Sequence, residues 1–232
     1  YSTDGGTSWT VFNPTNASSP AVITGLTNGT TYAIGLRAVN AAGSGTASAN
    51  VISTPLTIPN APTGLSATAG DTQVTVTFTP SSSNGGATIT NHEYTTDGGT
   101  SWTAFAPADT ASPVTITGLM TGTAYSVGLR AVNSVGQGTP SANVATGPMT
   151  IPGAPTGLSA TPGNTQVSVA FTPPASDGGS TITNYEYTTD DGRSWTAFAP
   201  ADTASPVTIT GIANGTAYTI ALRAVNAVGP GP

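Results

Sequence analysis

Hydrophobic side chains recur at every second position in several short segments of the chain. Val74, Val76 and Phe78 alternate with polar residues, and residues 114–117 and 125–131 follow the same pattern. A period of two places alternate side chains on opposite faces of a β-strand. These segments are therefore predicted to be strands with one buried face. No segment of useful length shows the 3.6-residue period of an amphipathic helix.

Glycine-rich turns separate the predicted strands. They lie at Asn84-Gly85-Gly86, Asp97-Gly98-Gly99 and Thr121-Gly122-Thr123. Prolines at positions 107, 113 and 140 disfavour helix in the same region. About seven short strands in this stretch are typical of an antiparallel β-sandwich, so the chain is predicted to be all-β.

The strands belong to a sequence repeat. Trp9, Trp102 and Trp195 lie 93 positions apart in near-identical surroundings. The same interval links Tyr32, Tyr125 and Tyr218, and it links Arg37, Arg130 and Arg223. The repeat predicts a partial module at 1–59 that lacks its first strands, a complete module at 60–152, and a module at 153–232 that lacks its last strand. We expect the chain to be a window on a longer tandem array.

Composition and charge exclude several function classes. The chain has no cysteine, which excludes a disulfide framework, a thiol nucleophile and a cysteine-ligated zinc. It has four arginines and no lysine against ten acidic residues, for a net charge of −6. A nucleic-acid binder needs a basic stripe to neutralise phosphates, so we expect no nucleic-acid partner. No apolar run approaches the ~18 residues that span a bilayer, so we expect no membrane insertion.

Three segments of the complete unit resemble a known family. Residues 118–133 are similar to the E–F corner and F strand of a bacterial fibronectin type III module. Residues 61–65 resemble its first strand, and residues 136–141 resemble its F–G passage. The resemblance extends over all three units. It implies tandem antiparallel seven-stranded sandwiches of the immunoglobulin-like, fibronectin type III kind.

The resemblance also assigns a role to the repeated tyrosines. It implies that Tyr32, Tyr125 and Tyr218 are tyrosine corners, each with its hydroxyl tied to backbone near the preceding turn. One departure from the family pattern is that Phe78 and Phe171 replace the usual tryptophan of the second strand. This departure concerns the packing of the core and leaves the predicted fold unchanged.

A second motif, Ser2–Trp9, recurs as Thr95–Trp102 and Thr188–Trp195 and resembles the Asp-box of sialidase-like β-propellers. Propeller blades are only some 40–50 residues long, whereas this repeat has 93. We therefore predict a structural hairpin, in which aspartate accepts backbone N–H bonds and tryptophan packs beneath. The predicted structural residues are Asp4, Asp97, Asp190, Trp9, Trp102 and Trp195.

No set of residues predicts catalysis or metal binding. The single histidine, His92, occupies the slot of Tyr185 and is predicted to fill a half-buried aromatic position. Asp109 and Asp202 correspond to Asn16 in the first unit, so loop capping fits them better than acid–base chemistry. An isolated hairpin offers too few of the ~6–8 oxygens that calcium takes. We predict a non-enzyme with no catalytic residue, metal or cofactor.

Two pairs of opposite charges are expected across neighbouring strands. Glu93 and Arg130 should both point outward, as should Glu186 and Arg223. Such pairs contribute ~0–1 kcal/mol each. Arg37 should lack a partner, because the matching glutamate position lies before Tyr1.

The predicted function follows from the prolines at the junctions between repeats and from the nearly uncharged exterior. Residues 57–62 and 150–155 carry two prolines each, which favours semi-rigid spacing. We predict a non-catalytic, secreted or surface-attached array that acts as stalk, spacer, adhesin body or fibre component. Its expected partners are other copies of itself or adjoining modules, and surface glycans. Self-assembly into filaments is an extension of this prediction.

Two other functions fit the same residues. The chain would alternatively supply accessory spacer or carbohydrate-binding modules of a secreted polysaccharide-degrading enzyme. A third hypothesis is ice or surface binding through threonine ladders such as Thr75, Thr77 and Thr79.

Overall fold

The protein consists of seventeen β-strands, and its computed structural model describes all residues from Tyr1 to Pro232. The strands are β1 (Tyr32–Ile34), β2 (Val39–Asn40), β3 (Gly43–Ser44), β4 (Val51–Ser53), β5 (Thr63–Gly70), β6 (Gln73–Thr79), β7 (Asn91–Thr95), β8 (Thr103–Ala104), β9 (Val114–Thr117), β10 (Tyr125–Val132), β11 (Val144–Thr146), β12 (Thr156–Gly163), β13 (Gln166–Thr172), β14 (Asn184–Thr188), β15 (Thr196–Ala197), β16 (Val207–Thr210) and β17 (Ala221–Val225). The predicted all-β class is confirmed. No element is a helix of the length and apolar character needed to cross a membrane.

The chain folds into two compact units. The first comprises residues 1–65, 78–112 and 127–143, and the second comprises residues 66–77, 113–126 and 144–232. Strands β1–β4, β7–β10, β14–β17 and β6–β9 pair in antiparallel fashion, as is typical of sheets whose strands are joined by short connections.

In the first unit, strand β7 lies between β8 and β10. Its register sets Glu93 opposite Arg130 and Tyr94 opposite Leu129. Leu129 is fully buried and Arg130 is half-buried, so one face of the strand packs inward and the other faces outward. The same unit contains the pair β1–β4 and the short hairpin β2–β3.

Three further sheets carry the alternation read from the sequence. Their strand orders are β5-β6-β9, β12-β13-β16 and β15-β14-β17. Val74 pairs with Ile116 and Val76 with Val114, and all four are buried. The buried cluster of the last repeat consists of Val169, Phe171, Tyr185, Val207, Ile209, Leu222 and Ala224.

The expectation of a half-buried aromatic slot at His92 is wrong. His92 and its counterpart Tyr185 are each only 1% exposed. Both precede an outward-facing glutamate on their strand, so the two-residue period turns them into the core. The His92 ring meets Phe78 edge-on at 4.9 Å between centroids, and Phe171 meets Tyr185 in the same way at 4.6 Å.

Candidate functional site

The aspartate of each repeated hairpin is saturated with hydrogen bonds from its own loop. In the central copy, Asp97 Oδ1 accepts from the Thr95 hydroxyl at 2.6 Å and from the Ser101 N–H at 3.0 Å. Asp97 Oδ2 accepts from the Ser101 hydroxyl at 2.6 Å. Gly98 and Gly99 both have positive φ, which lets the chain fold tightly around the carboxylate. The carboxylate therefore organises the turn.

These donors stabilise the charged form of the carboxylates. The Ser101 hydroxyl, followed by the Thr95 hydroxyl, holds the pKa of Asp97 well below its ordinary value of 3.8. In the other two hairpins the largest effect comes from the equivalent serine: the Ser8 hydroxyl lowers the pKa of Asp4, and the Ser194 hydroxyl lowers the pKa of Asp190. A general acid or base needs a pKa near the pH at which the enzyme works. The lowered pKa values of these aspartates lie farther from that pH than the ordinary value does.

The third hairpin keeps this geometry despite its two sequence changes. Asp191 takes the place of the first glycine and adopts a φ of 64°. The Arg193 N–H joins the donors to Asp190 Oδ1 at 3.0 Å. No group of three or more His, Asp or Glu side chains in the structure is arranged to hold a metal ion.

The hairpin tryptophans lie on the outer sheet face under arginine side chains. The guanidinium carbon of Arg130 lies 4.5 Å from the centre of the Trp102 ring, and Arg37 over Trp9 and Arg223 over Trp195 are both at 4.3 Å. Stacks of this kind combine cation–π attraction with apolar contact. Sequence reasoning missed these stacks, although the separation from tryptophan to arginine is the same 28 residues in all three repeats.

The arginine of each stack also reaches the neighbouring strand where a glutamate is present. Arg130 donates through Nε and Nη2 to Glu93 Oε2, at 2.6 and 2.5 Å. Arg223 does the same to Glu186, at 2.7 and 2.6 Å. The pairs lie on the outer faces of β7–β10 and β14–β17, where the sequence placed them. Each outer face thus carries a row of carboxylate, guanidinium and indole.

The three repeated tyrosines bind the backbone five residues before them. Their hydroxyls accept N–H bonds from Thr27 to Tyr32 at 2.9 Å, from Met120 to Tyr125 at 2.9 Å, and from Ala213 to Tyr218 at 3.0 Å. The Thr27 N–H favours the phenolate and lowers the pKa of Tyr32. Each bond closes the turn ahead of the tyrosine's strand.

The remaining candidate carboxylates cap their own loops. Asp109 Oδ1 accepts the N–H of Ala111 and Asp202 Oδ1 that of Ala204, both at 2.9 Å. In the first repeat the amide oxygen of Asn16 accepts the N–H of Ser18 at 2.8 Å. An amide oxygen and a carboxylate perform this task equally, which explains the exchange between repeats.

Sequence reasoning also missed a buried asparagine at each junction between repeats. Asn133 is 4% exposed, and its Nδ2 donates to the carbonyl oxygens of Thr57 and Asn84, both at 2.8 Å. Its Oδ1 accepts from the N–H groups of Val135 and Gly136. All the polar atoms of this amide are therefore used, and the linker is tied to the module that follows it.

The second junction has the same construction. Asn226 Nδ2 donates to the carbonyl oxygens of Thr150 and Asp177, both at 2.8 Å. The Thr150 N–H donates to Gly178 O at 2.8 Å, as the Thr57 N–H donates to Gly85 O at 2.8 Å in the first junction. The signal for this site was the constant interval that links Asn40, Asn133 and Asn226.

Comparison with known proteins assigns the fold to a family. A model of the Fibronectin type III domain family matches residues 60–147 and 153–232. The chain belongs to the fibronectin type III domain family. This confirms the resemblance noted in the sequence, and the chain carries at least two such domains in tandem.

The chain is similar to two known proteins that differ in how much of their length it covers. Chitinase A1 of Niallia circulans is 33% identical over 146 residues, which cover 57% of this chain and 20% of the chitinase. The chain thus spans about a fifth of that relative's length. The crystal structure of chicken CNTN1 FN1-FN3 domains is 18% identical, with 88% of this chain and 75% of that chain covered and a TM-score of 0.41.

Within these fibronectin type III domains, the repeated side chains contact one another or their own backbone. Aspartate and tyrosine close turns, arginine joins glutamate to tryptophan, and asparagine fastens the linker. None of the three aspartate hairpins leaves its carboxylate short of donors. The arrangement stabilises strands, turns and junctions.

Proposed function

We propose that the chain is a non-catalytic, extracellular array of fibronectin type III modules that acts as a stalk or spacer for structural or adhesive purposes. Its partners in this role are other copies of itself or adjoining modules. The observation that carries the proposal is the repeated junction, in which a buried asparagine ties the linker to the next module. A spacer requires that neighbouring modules keep a fixed separation, and such a bond restrains the linker.

The chemistry of the repeats supports a non-catalytic role. The lowered pKa of Asp97 keeps this carboxylate charged and hydrogen-bonded across the pH range in which enzymes act. The one histidine, His92, is packed in the core with Nδ1 3.0 Å from the carbonyl oxygen of Asp109. The residues that carry reactive groups are thus engaged in holding the fold.

The spacer role is tested by the width of a distance distribution across the first junction. The chain has no native cysteine, so spin labels attach uniquely to Thr10→Cys and Thr103→Cys, which lie at exposed equivalent positions of successive repeats. Pulsed electron–electron double resonance should give one narrow distribution of the distance between the two spin labels. Replacing Asn133 with alanine should broaden it, because the Thr57 carbonyl loses its donor.

The matched control is Asn40→Ala, at the same repeat position in the first module. Asn40 is exposed, and its Oδ1 accepts only the N–H of Ala42 two residues away. The distribution should stay as narrow as in the parent chain. A broad distribution in the parent chain, or equal broadening by both variants, would contradict a fixed spacing.

A second function is favoured by the likeness to a chitinase. Fibronectin type III modules of a secreted polysaccharide-degrading enzyme would hold its other parts apart or contact the polysaccharide. Trp102 is the aromatic group best placed for such contact, since it lies on the outer face and is half-buried. One face of its ring carries Arg130, which leaves less of the indole for a sugar.

Co-sedimentation with chitin tests the polysaccharide-binding form of the second function. This form predicts that the full chain pellets with chitin and that Trp102→Ala reduces the pelleted fraction. Glu93→Gln serves as the control, because it keeps the indole and removes only the charge partner of Arg130. A chain that stays in the supernatant would contradict chitin binding and leave the spacer role in place.

Filament formation is a separate extension of the spacer role. The net charge of −6 is spread over 232 residues, so electrostatic repulsion between copies is weak. Electron microscopy of native material should show regular filaments. Dispersed monomers at all concentrations would contradict self-assembly and leave the spacer role in place.

A further inference from the structure

His92 is a titratable side chain enclosed in the core of the central repeat. It is almost completely buried, and its ring lies edge-on against Phe78. Ala131, which is opposite His92 on β10, is fully buried as well. The imidazole is therefore separated from solvent, although it is the one side chain type that ordinarily changes its charge between about pH 5 and pH 8.

One ring nitrogen of His92 is hydrogen-bonded and the other is not. Nδ1 lies 3.0 Å from the carbonyl oxygen of Asp109. Because a carbonyl oxygen only accepts hydrogen bonds, Nδ1 carries the proton of the neutral ring, and Nε2 carries the lone pair. Nε2 is buried without a hydrogen-bond partner. A second proton at Nε2 would therefore place a charged N–H donor without an acceptor in the core, which destabilises the folded repeat.

The charged and titratable groups on the elements around His92 have other partners. Glu93, its neighbour on β7, bonds to Arg130 of β10 on the outer sheet face. The carboxylate of Asp109 caps its own loop. Tyr94 carries a phenol, which is uncharged in acidic solution. Strand β6 contributes no titratable residue, so none of these elements supplies an acceptor to Nε2.

The last repeat has the same surroundings and a ring that takes up no proton. Tyr185 occupies the slot of His92, is equally buried and lies edge-on against Phe171. Glu186 and Arg223 form the same pair on the outer face, and Asp202 caps the same loop. The rings in the two slots thus differ in whether acid can charge them.

We propose that His92 is an acid-sensitive switch that destabilises the central repeat as the pH falls below about 6.5, where an imidazole in water takes up a proton. The proton binds at Nε2 once the core around the ring opens, because water then solvates the cation. The open state binds more protons than the folded state, so the free energy of unfolding decreases as the pH falls. The last repeat, with Tyr185, stays closed in the same range. The switch acts on the stability of one repeat and does not depend on the proposed function.

Hydrogen exchange of the full chain tests the switch repeat by repeat. The measured quantity is the protection factor, which is the intrinsic exchange rate of an amide divided by its observed rate. Between about pH 7.5 and about pH 5 it should fall at least about tenfold for the slowest amides of β7 and stay unchanged for those of β14. This range lies above 3.8, the ordinary pKa of the hairpin aspartates, and both repeats have such a hairpin. Equal changes in β7 and β14 would overturn the proposal.

A reciprocal pair of substitutions in the slot provides the matched control. His92→Tyr should remove the pH dependence of protection in β7, and Tyr185→His should introduce it in β14. Each variant keeps an aromatic ring beside the phenylalanine of its repeat. A β7 that remains pH-dependent in His92→Tyr, or a β14 that remains insensitive in Tyr185→His, would overturn the proposal.

Nitrogen-15 NMR of the imidazole measures the protonation state of the folded chain without any substitution. The chain has a single histidine, so its ring signals are unique. At about pH 5 the folded chain should keep the spectrum of a neutral ring protonated at Nδ1. An imidazolium spectrum from the folded chain at this pH would overturn the proposal, because the core would then accept the charge without opening.

Discussion

The first and central repeats share a leucine and an asparagine at equivalent positions, yet these residues have different surroundings. Leu129 is fully buried, whereas Leu36 is 44% exposed. Asn133 is buried and bonded to two carbonyls, whereas Asn40 is exposed. The side chain is therefore the same in each of these two pairs. The segments packed against it decide how much that side chain contributes to stability.

The largest difference should come from the paired leucines. Leu129→Ala should lower the free energy of unfolding by about 2–5 kcal/mol, because it leaves a cavity in a closed core. Leu36→Ala should cost about 1 kcal/mol or less, because part of this side chain already contacts solvent. Chemical denaturation of the two variants measures both values. Equal losses would show that exposure does not separate the two repeats.

The paired asparagines should give the next largest difference. Asn133→Ala removes a buried side-chain amide that donates to two carbonyl oxygens, and it should destabilise the protein by about 1–3 kcal/mol. Asn40→Ala breaks only one bond in an exposed turn and should change stability by about 0.5 kcal/mol or less. Thermal unfolding of both variants provides the comparison. A larger effect at Asn40 would be inconsistent with the junction contacts.

A substitution at His92 tests whether the central repeat accepts the residue that the last repeat has at the same position. His92 Nε2 is buried without a hydrogen-bond partner, and the last repeat has Tyr185 in this slot beside the equivalent phenylalanine. His92→Tyr should therefore stabilise the chain by about 1 kcal/mol. Denaturant titration at neutral pH tests this. Destabilisation would indicate that the slot in the central repeat is shaped for imidazole.

The hairpin aspartates predict a pH dependence common to all repeats. Since the folded-state pKa of Asp97 lies below its ordinary value of 3.8, its stabilisation is complete above about pH 4 and is lost as the pH falls further. Asp97→Asn should flatten this acid limb by a small amount, because the site is exposed and two other hairpins remain. Melting temperatures measured from about pH 2 to about pH 6, the range in which carboxylates titrate, test this prediction. A variant with the full acid limb of the parent would contradict the assignment.

Alternation in the sequence predicted the strands and most of the core. Val74, Val76 and Phe78 are buried as the two-residue period requires. Local turn chemistry likewise predicted the role of Asp97, since its partners lie within four residues.

The two-residue hydrophobic pattern could not predict contacts between segments that are far apart in the sequence. Trp102 and Arg130 are on different strands, and their contact depends on the lateral offset between those strands. Asn133 binds the carbonyl of Thr57, 76 residues away, and backbone carbonyls carry no sequence signature. The burial of His92 follows from its place beside the outward-facing Glu93, whereas its correspondence to Tyr185 led us to predict a half-buried position.

Amide hydrogen exchange at three equivalent glycines tests the central claim most directly, namely that backbone hydrogen bonds fasten the linkers that follow the first and central repeats. The unmodified chain should show Gly29 and Gly122 protected at least about tenfold more than Gly215. Equal protection of all three amides would contradict the claim.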